Sequence, residues 1–385
     1  MKTLRASSRA LALAPMTGAL ALAAALTLAA PAAAQNASGT DAAFATFTPA
    51  STANNDSIDY SIWDEAMKNL VISMGPSLRQ TAGRPPEGYG TRRIYGHTSR
   101  YRLEGSRIMF SFLDSDVIAS FTEYRKDLEA TADQVDIQSL SRNEQLAYWI
   151  NLHNVALIEQ ISNNWPVRQP RKIEIGGVPL DNAKFITVEG VAMSPRDIRT
   201  KIVYPNWKDP RVIYGFWRGE IGGSSIQKEA FNADNVSRLL DKGARDFINS
   251  LRGTQQSGNT LQVSTLYEEA APYFFENFDK DVRAHIAAFA QEDVAEILAE
   301  TNKTRATISE YDIADLAGGS REPSYSYIET AGGAAQGFRI PRSMSNLLAQ
   351  REEKFRRILR EGRTGTVTFS ELVLPDDEEA DSQVD

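Results

Sequence analysis

The run from Leu146 to Ile158 is apolar on nearly every side of a helix, yet it carries Asn151, His153 and Asn154 at its centre. A helix that is hydrophobic all round belongs inside a large core. A buried amide left unpaired costs about 1–3 kcal/mol, so both asparagines need partners there. Standing three residues apart, they share one face of the helix, with His153 beside them. Polar groups forced into such a segment either tie neighbouring loops to it or build a site.

The rest of the chain sets the conditions for that core. Lys2, Arg5 and Arg9, the Ala/Leu run from Ala10 to Ala30, and Ala32-Ala33-Ala34 before Gln35 read as a secretory signal over residues 1–34. A retained membrane anchor is the alternative; Pro15, Pro31 and the small-residue ending favour cleavage. The expected location is periplasmic or secreted, with no membrane insertion after the signal is removed. Removal takes away three positive charges and no acids, moving the net charge from −8 to −11. So acidic a chain is a poor match for nucleic acid, which needs a concentrated basic surface. There is no cysteine, which excludes disulfides, thiol nucleophiles and thiolate metal sites. A chain of 385 residues buries enough surface to fold without cross-links.

Residues 35–55 are rich in Ala, Ser, Thr and Asn and read as a flexible leader. Helical spacing begins near Tyr60, with Ile62, Trp63, Ala66, Leu70 and Val71. Arg107 to Leu113 is strand-like, and Asp116 to Ala130 is expected to be helical. Ser141 and Glu144 form a capping box that opens the central helix, which Trp165-Pro166 ends. Strands are expected over 171–175, 185–193 and 211–217, and a second capped helix start at Ser194 to Asp197. Residues 232–251 and 281–300 each read as one helix. From 318 the texture changes to a C-terminal extension, with a basic helix near 347–360, a strand-like 364–374 and an acidic tail. The sum is an α+β fold: one predominantly helical domain over 56–317, with a buried central helix and a few short strands.

This order of segments resembles the family called domain of unknown function 547. Its hallmark helix, roughly Trp/Phe-Ile-Asn-x-Tyr-Asn-Ala, reads here Trp149-Ile150-Asn151-Leu152-His153-Asn154-Val155. Pro210 to Gly215, Ala230-Phe231, the stretch Arg245 to Asn249, and Tyr311-Asp312 look like further family features, over about residues 56–317. Many relatives carry a His, a Cys and then Cys-Pro-Pro where this chain has Ile213, Arg218 and Gly223-Ser224-Ser225. Thiol or metal chemistry implied by those residues does not carry over. The family has no agreed activity, so the resemblance implies a fold and a place to look.

Two groups of residues are candidates for chemistry. His153 is a ready general base near neutral pH. With Asn151, Asn154 and a hydroxyl from Ser224 or Ser225 it would make a divergent envelope hydrolase of Ser/His/Asn type. The alternative is a core histidine with two amides bonded to neighbouring backbone, and the lack of a G-x-S-x-G elbow weighs for it. The second group is Trp217-Arg218-Gly219-Glu220-Ile221-Gly222-Gly223-Ser224-Ser225. Consecutive glycines can gather N–H groups into an anion nest, Arg218 can grip a carboxylate or phosphate, and Trp217 can wall a sugar. The plainer expectation is a tight turn with Arg218 paired to Glu220. His97, His153 and His285 lack metal-site spacing, so no metal is expected, and no dinucleotide or P-loop fingerprint points to a cofactor. His285 reads as a surface or edge residue. The favoured reading is a non-catalytic module that binds a small anionic or carbohydrate-like ligand, or an envelope protein, in a pocket between this loop and the asparagine helix.

Overall fold

The computed structural model describes residues 42–50, 54, 56–84, 95–323, 325–328 and 338–362. Helix α1 (Ser61–Leu70) buries Trp63 and Met67 and runs straight into strand β1 (Val71–Ser73). Strand β2 (Ser106–Ile108) pairs with it antiparallel, Val71 opposite Ile108. Only this first part of the expected 107–113 strand is extended; Phe110–Phe112 turns into a 3-10 helix. Helix α2 (Ser115–Thr131) starts at Asp114, whose carboxylate accepts the N–H groups of Asp116 and Val117.

Helix α3 (Arg142–Asn163) is the expected central rod, and every residue from Glu144 to Glu159 is buried. Ser141 accepts the Glu144 N–H at 3.2 Å. The Glu144 carboxylate does not return to Ser141; it accepts from Ile58 at 3.0 Å and Ala233 at 3.1 Å. Half of the capping box is thereby exchanged for a tether between distant segments. Arg125 of α2 pairs with Glu159 of α3, and the Tyr148 hydroxyl donates to the Leu128 carbonyl at 3.0 Å. Within the stretch read as a leader, Phe44 and Phe47 are buried, and Phe47 meets Trp149 edge-on at 5.1 Å.

Beyond α3 the chain makes two small hairpins. Strands β3 (Glu174–Ile175) and β4 (Val178–Pro179) turn through Gly176-Gly177, both at positive φ as a two-residue hairpin demands. Strands β5 (Ile186–Val188) and β6 (Val191–Met193) follow. Ser194 and Asp197 form a complete capping box, after which the helix widens to a π-helix over Ile198–Val203.

The expected strand at 211–217 is instead a 3-10 helix, Pro210–Gly215. Asp209 accepts the Arg211 N–H at 2.9 Å, and Pro210 sets the first turn. A short apolar run does not distinguish a buried strand from a buried helical turn.

Helix α4 (Val236–Ile248) sits within the expected 232–251. Strands β7 (Thr254–Ser257), β8 (Thr260–Ser264) and β9 (Lys303–Ile308) make a mixed sheet, β8 antiparallel to β7 and parallel to β9. Helix α5 (Leu266–Phe274) lies between β8 and β9 in sequence. The single helix expected over 281–300 is two, α6 (Phe278–Ala287), capped by Asn277, and α7 (Glu292–Glu300). Hairpin β10 (Tyr325–Ile328) and β11 (Phe338–Pro341) leads to α8 (Arg342–Arg360), the expected basic helix. Lys354 of α8 donates to the carbonyls of Met74 at 2.9 Å and Leu103 at 2.6 Å, so this part of the extension docks beside β1. The signal segment, the expected 364–374 strand and the acidic tail lie outside the described residues. The architecture is α+β and mostly helical, with small sheets around one buried helix.

The two asparagines tie the following loop to α3. Asn151 donates to the Phe231 carbonyl at 2.7 Å and accepts the Phe231 N–H at 3.1 Å. Asn154 donates to the Gly215 carbonyl at 3.0 Å and accepts the Trp217 N–H at 3.0 Å. The segment from Gly215 to Phe231 is clasped at both ends. Asn151→Ala would strand two backbone groups. Asn154→Ala would strand two backbone groups and the His153 ring, each costing roughly 1–3 kcal/mol. Urea unfolding should show both variants destabilised, Asn154→Ala the more. Equal or negligible losses would contradict this account.

Candidate functional site

His153 is fully buried and both ring nitrogens are engaged. Arg199 lies 2.9 Å from Nε2 and can only donate, so Nε2 carries the lone pair. Nδ1 then carries the proton and donates to Asn154 Oδ1 at 3.0 Å. Burial, and after it the Arg199 charge, lower the ring's pKa to about 3. His153 is neutral at any ordinary pH.

Arg199 has no exposed side-chain surface, and all five of its N–H donors are used. Two go to Asp181 at 2.7 and 2.8 Å, two to Glu269 at 2.9 and 3.1 Å, and one to His153. Burial works to raise the Asp181 and Glu269 carboxyls, but Arg199 and Arg218 outweigh it. Asp181 ends below the ordinary carboxylate value and Glu269 at about 2. This cluster was not foreseen from the residues. Asp181 lies 18 residues from Arg199 and Glu269 lies 70, so no local spacing signals it. The only hint was that a buried histidine in an apolar helix needs polar partners from elsewhere.

The glycine loop does not form the expected anion nest. Gly222 N–H donates to the Glu310 carbonyl at 3.0 Å and Gly223 N–H to the Glu220 carbonyl at 3.2 Å. Ile221 N–H donates to the Asp312 carbonyl at 2.8 Å, joining the loop to Tyr311-Asp312. A Cβ on Gly222 would lie 2.4 Å from the Glu310 oxygen, so the glycine serves close backbone approach.

Trp217 is 1 % exposed and stacks on Phe110, which makes it core and not a ligand wall. Ser224 is buried and donates to the Phe216 carbonyl at 2.8 Å; Ser225 donates to Asp246 at 2.6 Å. Neither hydroxyl meets His153. Arg218 pairs with Glu269 and not with Glu220. His285 is buried rather than at the surface, 2.8 Å from the Tyr214 hydroxyl, and His97 is buried against the Asp315 carbonyl.

Arg218 and Glu220 line a pocket of about 440 Å³ with Leu157 of α3, Arg171, Asp181 and Tyr311. The pocket therefore lies between the loop and the asparagine helix, although Asn151 and Asn154 do not reach it. Arg171 lies over the Tyr311 ring, 3.7 Å from its centroid. Burial pushes the Glu220 carboxyl up to about 8 against the opposing pull of Arg218 and Arg171. At neutral pH the lining presents two guanidinium groups, one ionised carboxylate in Asp181, and a mostly protonated Glu220. Among the described residues no three His, Asp or Glu side chains converge as a metal site, and no helix is long and apolar enough to cross a membrane.

The model of a family described as "Protein of unknown function, DUF547" matches residues 137–248. The matched stretch is similar to that family. It spans α3, the two hairpins, the clasped loop and α4. It contains every pocket residue named above except Tyr311, as well as Arg199, and stops short of Glu269. Searches of curated proteins and of solved structures give no match.

The depressed His153 pKa sets a pH dependence. Unfolded, the ring takes up a proton below about 6.5 that the folded state refuses until about 3. Its contribution to stability is present above 6.5 and is lost as pH falls towards 3. At pH 7.5 His153→Gln should be less stable than wild type, because the edge contact with Phe216 at 4.9 Å is lost. That gap should narrow by up to about 1.4 kcal/mol per pH unit below 6.5. Urea unfolding across pH 7.5 to 4.5 reads it; a pH-independent gap would show that His153 protonates freely in the core.

Proposed function

We propose that the chain is an exported cell-envelope binding protein whose pocket takes a small carbohydrate-like molecule bearing a carboxylate, without catalysing a reaction on it. The export reading is supported by the basic start, apolar run and Ala32-Ala33-Ala34 of the first 34 residues. The observation that carries the binding reading is the character of the pocket. Glu220, neutral near pH 7, stands in a wall with Arg171 and Arg218, so the lining has one cation in surplus and a carboxyl O–H to donate. Guanidinium groups pair with carboxylates bidentately. Asp181 supplies an acceptor for hydroxyls, and Tyr311, partly exposed, supplies an aromatic surface at the rim. A hydrolase built on His153 with Ser224 or Ser225 draws no support from the positions of those groups.

Titration calorimetry of the purified chain with glucuronate or galacturonate, and with glucose as the neutral counterpart, tests this. The acidic sugar should bind and glucose should bind at least about tenfold more weakly, a difference of ~1.4 kcal/mol. Arg171→Gln and Arg218→Ala should each remove binding with little change in melting temperature. Equal binding of acid and neutral sugar, or retention of affinity in both variants, would overturn the reading.

Glu220 also fixes the direction with pH. As pH rises through about 8 it ionises, the cationic surplus disappears, and affinity should fall. Glu220→Gln should keep binding and flatten that dependence. Its raised pKa adds a stability contribution that is complete below about 4.5 and lost as pH rises through 8. Glu220→Gln should therefore melt higher than wild type at pH 8.5 but not at pH 4.5.

A further inference from the structure

The pocket lined by Arg171 and Tyr311 is open at its mouth, where Arg171, Pro179 and Asn182 of the lining are exposed. Two more arginines stand just outside it. Arg168 reaches Asp312, the neighbour of Tyr311, at 3.5 Å. The Arg196 backbone N–H donates to the carbonyl of Asp181, another lining residue, at 3.0 Å. We propose that the pocket holds one unit of an acidic oligosaccharide, a chain of uronate residues, whose neighbouring carboxylates lie on Arg168 and Arg196. The proposal rests on the uronate reading of the pocket and extends it from a single sugar to a chain.

The argument begins with how these guanidinium groups are held. The Arg168 and Arg196 side chains are about half exposed, at 46 % and 53 %, so both are within reach of a ligand. Arg196 lies 4.0 Å from the Glu269 carboxylate, beyond hydrogen-bond distance. Arg199 already donates to that carboxylate twice and Arg218 once. One negative charge therefore serves three guanidinium groups, and Arg196 is the last served. Arg168 donates to the Thr98 hydroxyl at 3.3 Å, and its 3.5 Å contact with Asp312 is long for a charge-assisted bond. Arg171 lies over the Tyr311 ring and makes no ion pair among the described residues, and Glu220, whose carboxyl it influences, is mostly protonated near neutral pH.

The larger groove beside α4, of about 890 Å³, is different. Its Asp241, Asp246 and Arg238 are matched one to one, with Arg211 at 2.8 Å, Arg252 at 3.2 Å and Glu229 at 2.5 Å. At the pocket mouth the arginines share partners or hold them loosely, which leaves donors for an incoming anion.

A single uronate has one carboxylate, enough for the guanidinium groups of the lining, and leaves Arg168 and Arg196 unused. A chain of uronates repeats the charge along one backbone, so a single ligand meets several arginines at once. Each exposed ion pair contributes little alone, but contacts made by one ligand reinforce each other because the later ones form within the complex. The exposed mouth lets such a chain continue beyond the pocket. Asn182 and the Tyr311 ring give its sugar units an amide and an aromatic surface there.

Titration calorimetry of the full chain would compare galacturonate with trigalacturonate, and glucose with maltotriose as the neutral pair. The acidic trimer should bind at least about tenfold more tightly than the acidic monomer, and this advantage should shrink as salt is raised. Maltotriose should show no such advantage over glucose. The advantage should be reduced in Arg168→Gln and in Arg196→Gln and disappear in the double variant, with melting curves confirming that each is folded. Lys126→Gln, on the exposed face of α2, should keep it. Equal affinity of the wild type for acidic monomer and trimer overturns the proposal and leaves the single-sugar reading standing. So does an advantage that survives in the double variant, falls equally in Lys126→Gln, or is matched by maltotriose. Absence of binding by either acid overturns both readings.

Discussion

Exclusion of water from α3 is the constraint on which the rest depends. Sixteen consecutive residues, Glu144 to Glu159, are buried, so their polar atoms depend on partners within the protein, and Gln145 Oε1 and Trp149 Nε1 are left without one. The Asn154 oxygen accepts from both the Trp217 backbone and the His153 ring, while its nitrogen reaches the Gly215 carbonyl. One side chain thereby fixes a loop end and the tautomer of a histidine. Such a network specifies a single arrangement only when every member is satisfied. That condition is met at both ends of the loop between Gly215 and Phe231, which are tied to α3 despite the glycines between them.

The same condition extends to the buried charge. A guanidinium as deeply enclosed as Arg199 is tolerated because two carboxylates and an imidazole take all five donors. Arg199 therefore has nothing left to offer a ligand. Its work is to hold Asp181 ionised at the pocket wall and Glu269 ionised beneath Arg218. Arg218 and Arg171 are then the cations that line the pocket. His153 is the inner end of this chain of contacts, neutral and shielded.

How much of this was legible follows from the range of each interaction. The buried helix, its Ser141 start and the need for partners at Asn151 and Asn154 are set by residues within one segment, and they could be read. A cavity between helix and loop was expected from the same reasoning, and Arg218 and Glu220 line one there with Leu157. The 3-10 turn at Pro210–Gly215 was misread because its residues are as suitable for a strand; the cap at Asp209 decided it. The β7–β8–β9 sheet was missed because β8 and β9 pair in parallel across three intervening helices, α5, α6 and α7. Asp181, Arg199 and Glu269 meet only after the fold has formed. A glycine nest was one of two expectations for the loop; Gly222 instead meets the Glu310 backbone, a contact that likewise exists only in the fold, while Gly223 closes the turn onto Glu220.

A loop held at both ends can present different chemistry on its two sides. Arg218 and Glu220 face the smaller pocket, whereas Ser225 to Lys228 face the groove beside α4. Ser224 closes onto the Phe216 carbonyl, and Ser225 onto Asp246, where Arg252 also meets it. In this chain those hydroxyls hold the loop in shape, between the charged side chains that face the two cavities.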